Sequence, residues 1–297
     1  MAVISIVNDG KPGHLNQSMG LAAAMQRTRP DLQLAVISPL SFRENLQAWL
    51  FKHYSRSEAL QDTPSVLIGA GHRTHLTLLA LKSYFHIPAI VLMTPSLPLS
   101  WFDLCLIPEH DTPQSKPNIL VTQGALNRMQ PSTKLTATGM LLIGGPSKHH
   151  GWDEALILAQ IQTLVSDSTI EWVLTSSRRT PATTELALKA LYGDRFKSCH
   201  DVSADWLPSL LSATQVCWVT EDSVSMVYEA LTAGCAVGTL SVPKKTENRL
   251  TLGLQKLEEK GIITPFEQWS GGDLPLPSVQ FNEAERCANM ILSRGWI

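Results

Sequence analysis

The chain has 297 residues, 44% of them hydrophobic and 17% charged, with a mean hydropathy of +0.02 and a formal net charge of −2. Such a chain buries a sizeable core, is not disordered, and has no overall field that draws it to nucleic acid or to a membrane. No apolar run reaches the ~18 residues that a spanning helix needs, and five scattered cysteines without a C-x-x-C read as reduced cytoplasmic thiols rather than a disulfide framework.

MAVISIVNDG has no basic leader, so AVISIV reads as a buried first strand and not as a signal peptide. The loop NDGKPGHLNQS follows, then an amphipathic helix from about Leu15 to Arg27 and a second strand in LQLAVIS. Strand, loop, helix and strand make a right-handed βαβ unit. Asp9, Lys11 and His14 then stand at the carboxyl end of the first strand, where Gly10 and Gly13 let backbone N–H groups face an anion. The spacing is neither a P-loop nor G-x-G-x-x-G, and a plain tight turn is the alternative.

Asn45 to Arg56 predicts a helix with Leu46, Trp49, Leu50 and His53 at helical spacing. Phe51 and Tyr54 widen its apolar surface, and Arg43, Lys52 and Arg56 flank it. Aromatics with basic edges suit a lipid interface, although a core-facing helix is the commoner use of such a face. PSVLIGAGHRTH predicts strand, loop and helix, with Gly71, His72 and Arg73 at the strand-end rim. His72 and His75, three apart, could share a metal, but neither an H-E-x-x-H nor a third ligand accompanies them. PAIVLM and FDLCLIP are further strands, the second leaving Glu109, His110 and Asp111 at the rim. VTQGALNRM reads as a short strand and connector, which gives this half five full strands.

A second unit begins near Thr136. TATGMLLIGGP is a strand ending in Gly144, Gly145, Pro146, Ser147 and Lys148, and Trp152 to Val165 is a helix. IEWVLTSSRRTP is a strand followed by Ser177, Arg178 and Arg179, with Thr180 as N-cap and Pro181 as first helical residue. Two arginines beside a helix amino terminus make an oxyanion site.

VCWVTEDSVSMVYEALTAGCAVGTL organises this half. Its two apolar strands are joined by a short crossover helix, with Asp222 and Ser223 as N-cap candidates and Gly234 as the C-cap glycine. The loop opens where open α/β sheets bind ligands. Ser225 and Glu229 are four apart and share one helix face. Free N–H groups there suit a phosphate, and a carboxylate one turn deeper suits ribose hydroxyls. Asn282 to Trp296 reads as a last amphipathic helix.

The expected fold is therefore α/β, with two Rossmann-like doubly wound domains facing a cleft in the manner of GT-B glycosyltransferases. Residues 1–136 would form the acceptor-side domain and 137–280 the donor domain. Residues 281–297 would form a C-terminal helix that packs back on the first.

DGKPGHLNQS, GAGHRTH, GGPSKHHGW, TSSRRTP and VTEDSVSMVYEALTAG together resemble the family named for mitochondrial fission in plants. Its bacterial members are described as candidate glycosyltransferases or nucleotide-sugar epimerases. More distantly the chain is similar to the lipid-linked N-acetylglucosamine transferase of peptidoglycan synthesis and to Kdo transferases. The resemblance implies that Glu229 holds the donor ribose, that Ser225 and Arg178 hold its phosphates, and that His14 sits near the reacting groups.

The expected activity is metal-independent transfer of a sugar from a nucleoside diphosphate to a saccharide or lipid-linked acceptor of the cell envelope. A nucleotide-sugar epimerase and a non-catalytic adaptor are the alternatives. The catalytic candidates are His14 and Asp9. The donor-side candidates are Gly145, Ser147, Lys148, Ser177, Arg178, Arg179, Asp222, Ser223, Ser225, Met226 and Glu229. On the acceptor side stand Lys11, Gly13, Asn16, Gln17, Gly71, His72 and Arg73. No cofactor, metal or nucleic-acid partner is expected. The expected place is the cytoplasm, with peripheral contact at the inner face of the cytoplasmic membrane.

Overall fold

The computed structural model describes residues 2–51, 54, 62–166, 169–246, 249–277 and 280–297, with the side chains of 249 and 250 set aside. The chain divides into two compact units, Met1–Arg128 with Asn282–Ile297, and Met129–Phe281. The boundary falls eight residues before the sequence placed it. Met129 is buried in the second unit's core, and Lys134 Nζ donates to Ser212 O at 2.7 Å and Ala233 O at 2.5 Å in that unit.

In the first unit β1 (Val3–Val7), α1 (Pro12–Thr28), β2 (Gln33–Ile37), α2 (Phe42–Leu50), β3 (Val66–Ala70), α3 (His75–Phe85), β4 (Ala89–Leu92), β5 (Leu104–Pro108) and β6 (Ile119–Thr122) follow in order. All six strands pair in parallel, in the order β2-β1-β3-β4-β5-β6. The short strand read near Val121 is thus a full sixth member. β1, β3, β4 and β5 are buried at every position, as parallel strands covered on both faces should be.

α1 starts at Pro12 rather than Leu15, because Leu15 N already donates to Lys11 O at 3.0 Å and a first-turn proline needs no donor. Gly13 and His14 are therefore helical. α2 lies earlier than read. Ser41 and Glu44 close a capping box at its start, and it ends at Leu50. Lys52, His53 and residues 55–61, which include Arg56, lie outside the described residues.

The second unit runs through β7 (Thr138–Ile143), α4 (Glu154–Ser166), β8 (Glu171–Ser176), α5 (Ala182–Tyr192), β9 (Phe196–Lys197), α6 (Trp206–Ala213) and β10 (Val216–Thr220). α7 (Val224–Ala233), β11 (Ala236–Leu240), α8 (Arg249–Glu259) and β12 (Ile263–Pro265) complete it. Its sheet, also parallel, has the order β12-β11-β10-β7-β8-β9. That is the Rossmann order 3-2-1-4-5-6, whereas the first unit extends the flavodoxin-like order 2-1-3-4-5 by one strand.

α9 (Glu283–Leu292) returns to the first unit and buries Ala284, Cys287, Ala288 and Ile291 in the same core as Leu21, Ala22 and Met25 of α1. Arg27 and Glu285 pair across it at 2.8 Å. The five cysteines are free thiols, four of them buried. Among the described residues no helix is long and apolar enough to cross a membrane.

Candidate functional site

Each sheet has one switch point, where consecutive crossovers leave in opposite directions and a crevice opens at the strand ends. In the first unit it lies between β1 and β3, in the second between β7 and β10. Both gather sequence-predicted residues.

At the first, the Asp9 side chain is fully buried and its Oδ2 lies 3.0 Å from His14 Nδ1. Lys11 N donates to Asp9 Oδ1 at 3.1 Å. Burial pushes the Asp9 carboxyl up, but the Lys11 amide, then His14, and the Lys11 charge outweigh it, so it titrates below the ordinary carboxylate range. Gly71, at the end of β3, has φ +86°, and a Cβ there would stand 2.4 Å from His14 Cε1 and Nδ1. The glycine is what lets β3 approach the imidazole. Lys11, Gly13, His72 and Arg73 are exposed around this pair.

Asn16 and Gln17 are occupied within the unit. Arg128 Nε donates to Asn16 Oδ1 at 2.9 Å, and Gln17 Nε2 to Met93 Sδ at 3.7 Å. His72 and His75 do not form a metal pair. His72 is exposed, whereas His75 is buried with Nδ1 3.2 Å from Ser96 Oγ, and burial lowers it to about 4. Among the described residues no group of three or more His, Cys, Asp or Glu is placed to hold a metal.

At the second switch point the turn after β7 is pinned to that after β10. Gly144 N donates to Thr220 Oγ1 at 2.7 Å and Gly145 N to Asp222 Oδ2 at 3.0 Å. Asp222, fully buried, takes the Arg179 guanidinium at 2.6 Å, and Arg179 also donates to Gly145 O at 2.6 Å. A Cβ on Gly145 would meet Arg179 O at 2.0 Å. Arg179 and Asp222 thus form an internal strut.

The expected caps are corrected by the same contacts. Asp222 does not cap α7, whose N-cap is Ser223 without a side-chain bond. Thr180 does not cap α5, which begins at Ala182. Its hydroxyl donates to Ile143 O at 2.9 Å and accepts from Ser177 N at 2.8 Å. Met226 packs on the apolar core.

The turn after β7 is also zipped to the segment after β11. Gly151 N donates to Pro243 O at 2.7 Å and Lys245 N to His149 O at 2.9 Å. Ser147 Oγ accepts from the amides of His149 and His150, at 3.2 and 3.0 Å. Sequence reading gave no site role to Glu221, Lys244 or His150. Glu221 is buried at the end of β10, 3.3 Å from Lys244 Nζ. Burial raises its carboxyl, Lys244 opposes that, and the charges of Glu258 and Glu267 add to it. His150 is buried and burial lowers it.

What remains open on these turns is cationic. Lys148 and Arg178 are exposed and make no ion pair among the described residues, and Lys245 spends only one donor, on Ser147 O at 3.3 Å. Ser177 lies half-buried beside Arg178. Ser225 is exposed on the first turn of α7, with Glu229 half-buried one turn on.

A model of the family described as mitochondrial fission ELM1 matches residues 12–295. The chain belongs to this family. It is 23% identical over 358 aligned positions to the uncharacterized protein RP120 of Rickettsia prowazekii (strain Madrid E), covering 97% of each chain. Among solved structures this ELM1-family chain is similar to a UDP-N-acetylglucosamine 2-epimerase at 13% identity and TM-score 0.54, covering 100% of this chain and 97% of that one. It is similar to the glycotransferase of kitacinnamycin at 11% identity and TM-score 0.51, covering 99% of both. With its two six-stranded parallel sheets, the chain has the α/β fold of GT-B glycosyltransferases and their relatives.

The expected aromatic face is on the first unit. Trp49 and Phe51 are exposed rather than buried, while Tyr54 packs edge-on against Tyr84 at 5.7 Å and Phe85 at 6.0 Å. Trp49, Leu46, Leu76 and Trp101 line an apolar groove of about 1220 Å³ with α3.

Proposed function

We propose that this chain transfers a sugar from a nucleoside-diphosphate donor, held by the second unit, to a saccharide or lipid-linked acceptor. The observation that carries this reading is the charge left over at the second switch point. Among the described residues, Asp222 is paired with Arg179 and Glu221 with Lys244, whereas Lys148, Arg178 and Lys245 make no ion pair. Surplus cations beside a helix amino terminus suit a diphosphate leaving group and supply the charge that a metal supplies elsewhere. Ser225 would hold a phosphate oxygen and Glu229 the ribose.

The Asp9–His14 pair is the general base of this reading. A buried carboxylate fixes the imidazole through Nδ1, which leaves Nε2 to take a proton from an acceptor hydroxyl. Exposed Trp49 and Phe51 support a peripheral membrane contact for a lipid-linked acceptor.

Calorimetry with uridine, cytidine and guanosine diphosphates tests the donor half. One of them binds, chelator has no effect, and Arg178→Ala and Lys148→Ala each weaken it about tenfold, the worth of one charged hydrogen bond. Glu229→Ala weakens nucleoside binding, and His14→Ala keeps binding and loses turnover. Absence of binding by all three nucleotides refutes the reading. The likeness to a 2-epimerase supports a second reading, nucleotide-sugar epimerisation. Incubation with a nucleotide sugar and no acceptor separates the two, because only an epimerase yields an isomerised sugar.

A further inference from the structure

The Asp9–His14 pair and Gly71 use the ends of β1 and β3 only. At the ends of β4 and β5 a second polar group is built. Thr94 Oγ1 donates to Asp111 Oδ2 at 2.8 Å, and His110 Nε2 lies 3.6 Å from Asp111 Oδ1. The side chains of His110 and Asp111 are 11% and 8% exposed, whereas Thr94 is open to solvent.

Both connections pass through left-handed residues that are not glycine, Met93 at φ 67° and Thr112 at φ 48°. Such backbone costs about 1–3 kcal/mol per residue and persists only where its surroundings hold it. Here they do. Gln17 Nε2 donates to Met93 Sδ at 3.7 Å, and His75 Nδ1 lies 3.2 Å from Ser96 Oγ. Gln17 follows His14 by one turn of α1, so a single helix fixes both the Asp9–His14 pair and this loop.

We propose that Thr94, oriented by Asp111 and His110, is a hydroxyl-recognising subsite for the saccharide part of the acceptor. The inference rests on the transferase reading and gives its acceptor a place. Thr94 gives its own proton to a carboxylate, so its oxygen is left facing outward as an acceptor, polarised by the charge behind it. Sugar hydroxyls are donors of matching size and reach. Thr94 follows β4, which is two ladder steps from β1, about 10 Å at ~4.8 Å per step. A group bound at Thr94 is therefore not the one whose hydroxyl reaches His14, but a neighbouring ring of the same acceptor. Asp111 and His110 are positioning residues, and Thr94 makes the contact.

Saturation-transfer NMR on the full chain, with N,N′-diacetylchitobiose, cellobiose and maltose as probes, tests this. Wild type transfers saturation to at least one of the three. Thr94→Val lowers the affinity for it about tenfold, as loss of one charge-backed hydrogen bond should. Asp111→Asn does the same, and neither variant changes uridine diphosphate binding measured by calorimetry. Thr94 is exposed, so its valine variant folds and decides alone if Asp111→Asn does not. Failure of all three disaccharides with wild type, or an unchanged affinity in Thr94→Val, overturns the subsite. A wild type that binds a disaccharide, loses it in Thr94→Val and binds no nucleoside diphosphate keeps the subsite and overturns the donor reading instead.

Discussion

Removing the exposed partner of the Arg179–Asp222 pair should cost more than removing the buried one. Asp222 is fully buried and Arg179 39% exposed. Arg179→Met strands a buried carboxylate whose remaining bond is to Gly145 N, and such stranding costs about 3–5 kcal/mol. Asp222→Ala leaves a guanidinium that can turn to water, so its ion-pair share is discounted. The lost amide acceptor and charged bond then cost about 2–3 kcal/mol. Asp222→Asn keeps both acceptor contacts and loses only charge, about 1–2 kcal/mol. In a unit of this size 1 kcal/mol moves Tm by about 2–4 °C. Expected drops are roughly 10 °C for Arg179→Met, 7 °C for Asp222→Ala and 4 °C for Asp222→Asn. The double variant should melt above Arg179→Met alone. Scanning calorimetry with urea titration at one pH supplies the ranking. An Arg179→Met protein no less stable than Asp222→Ala would refute the reasoning, because the buried charge would then not be what the guanidinium serves.

Burial raises the Glu221 carboxyl above the ordinary range, so the folded state loses stability as pH climbs from there through the raised value. Glu221→Gln should therefore gain on wild type in Tm as pH rises from about 4, and a constant difference would count against it. Gly71→Ala combines a strained φ of +86° with a Cβ driven into His14. It should cost about 1–3 kcal/mol and abolish turnover while leaving nucleoside-diphosphate affinity intact, as calorimetry and an activity assay would record. Trp49→Ser with Phe51→Ser should remain folded by circular dichroism, since these side chains are 56% and 72% exposed. The variant should lose the flotation with anionic liposomes that wild type shows at low salt, and wild type that never floats removes the membrane contact.

The strands were legible because parallel strands covered on both faces are unbroken apolar runs, as VISIV, VLIGA and VCWVT are. Their order was not. Nothing local in the sequence tells β3 to join β1 on the side away from β2. The Asp9–His14 pair lay within one loop and could be read. Asp222 and Thr180 were read as caps because their partners, Arg179 and Ile143, are 43 and 37 positions away. The capping box of α2 was legible as Ser41 with Glu44 three residues on, yet the aromatic run beyond it drew the predicted start to Asn45. Glu221 gave no signal, since its burial follows only from the depth of β10 in the sheet.

Because α9 completes the first core, the second unit is an insertion within the first, and the order of synthesis does not match the order of burial. On the ribosome α1 emerges early with Leu21 and Met25 ready to bury, but Ala284, Cys287 and Ile291, which share that core, are translated only after the whole second unit. At ~5–20 residues per second the nascent chain carries this uncovered face for roughly 13–50 s. The second unit, contiguous in sequence, is free to close while still tethered. A chain interrupted before Asn282 would therefore carry a finished second unit on an unsealed first one, and that bare face is where a holdase chaperone would bind.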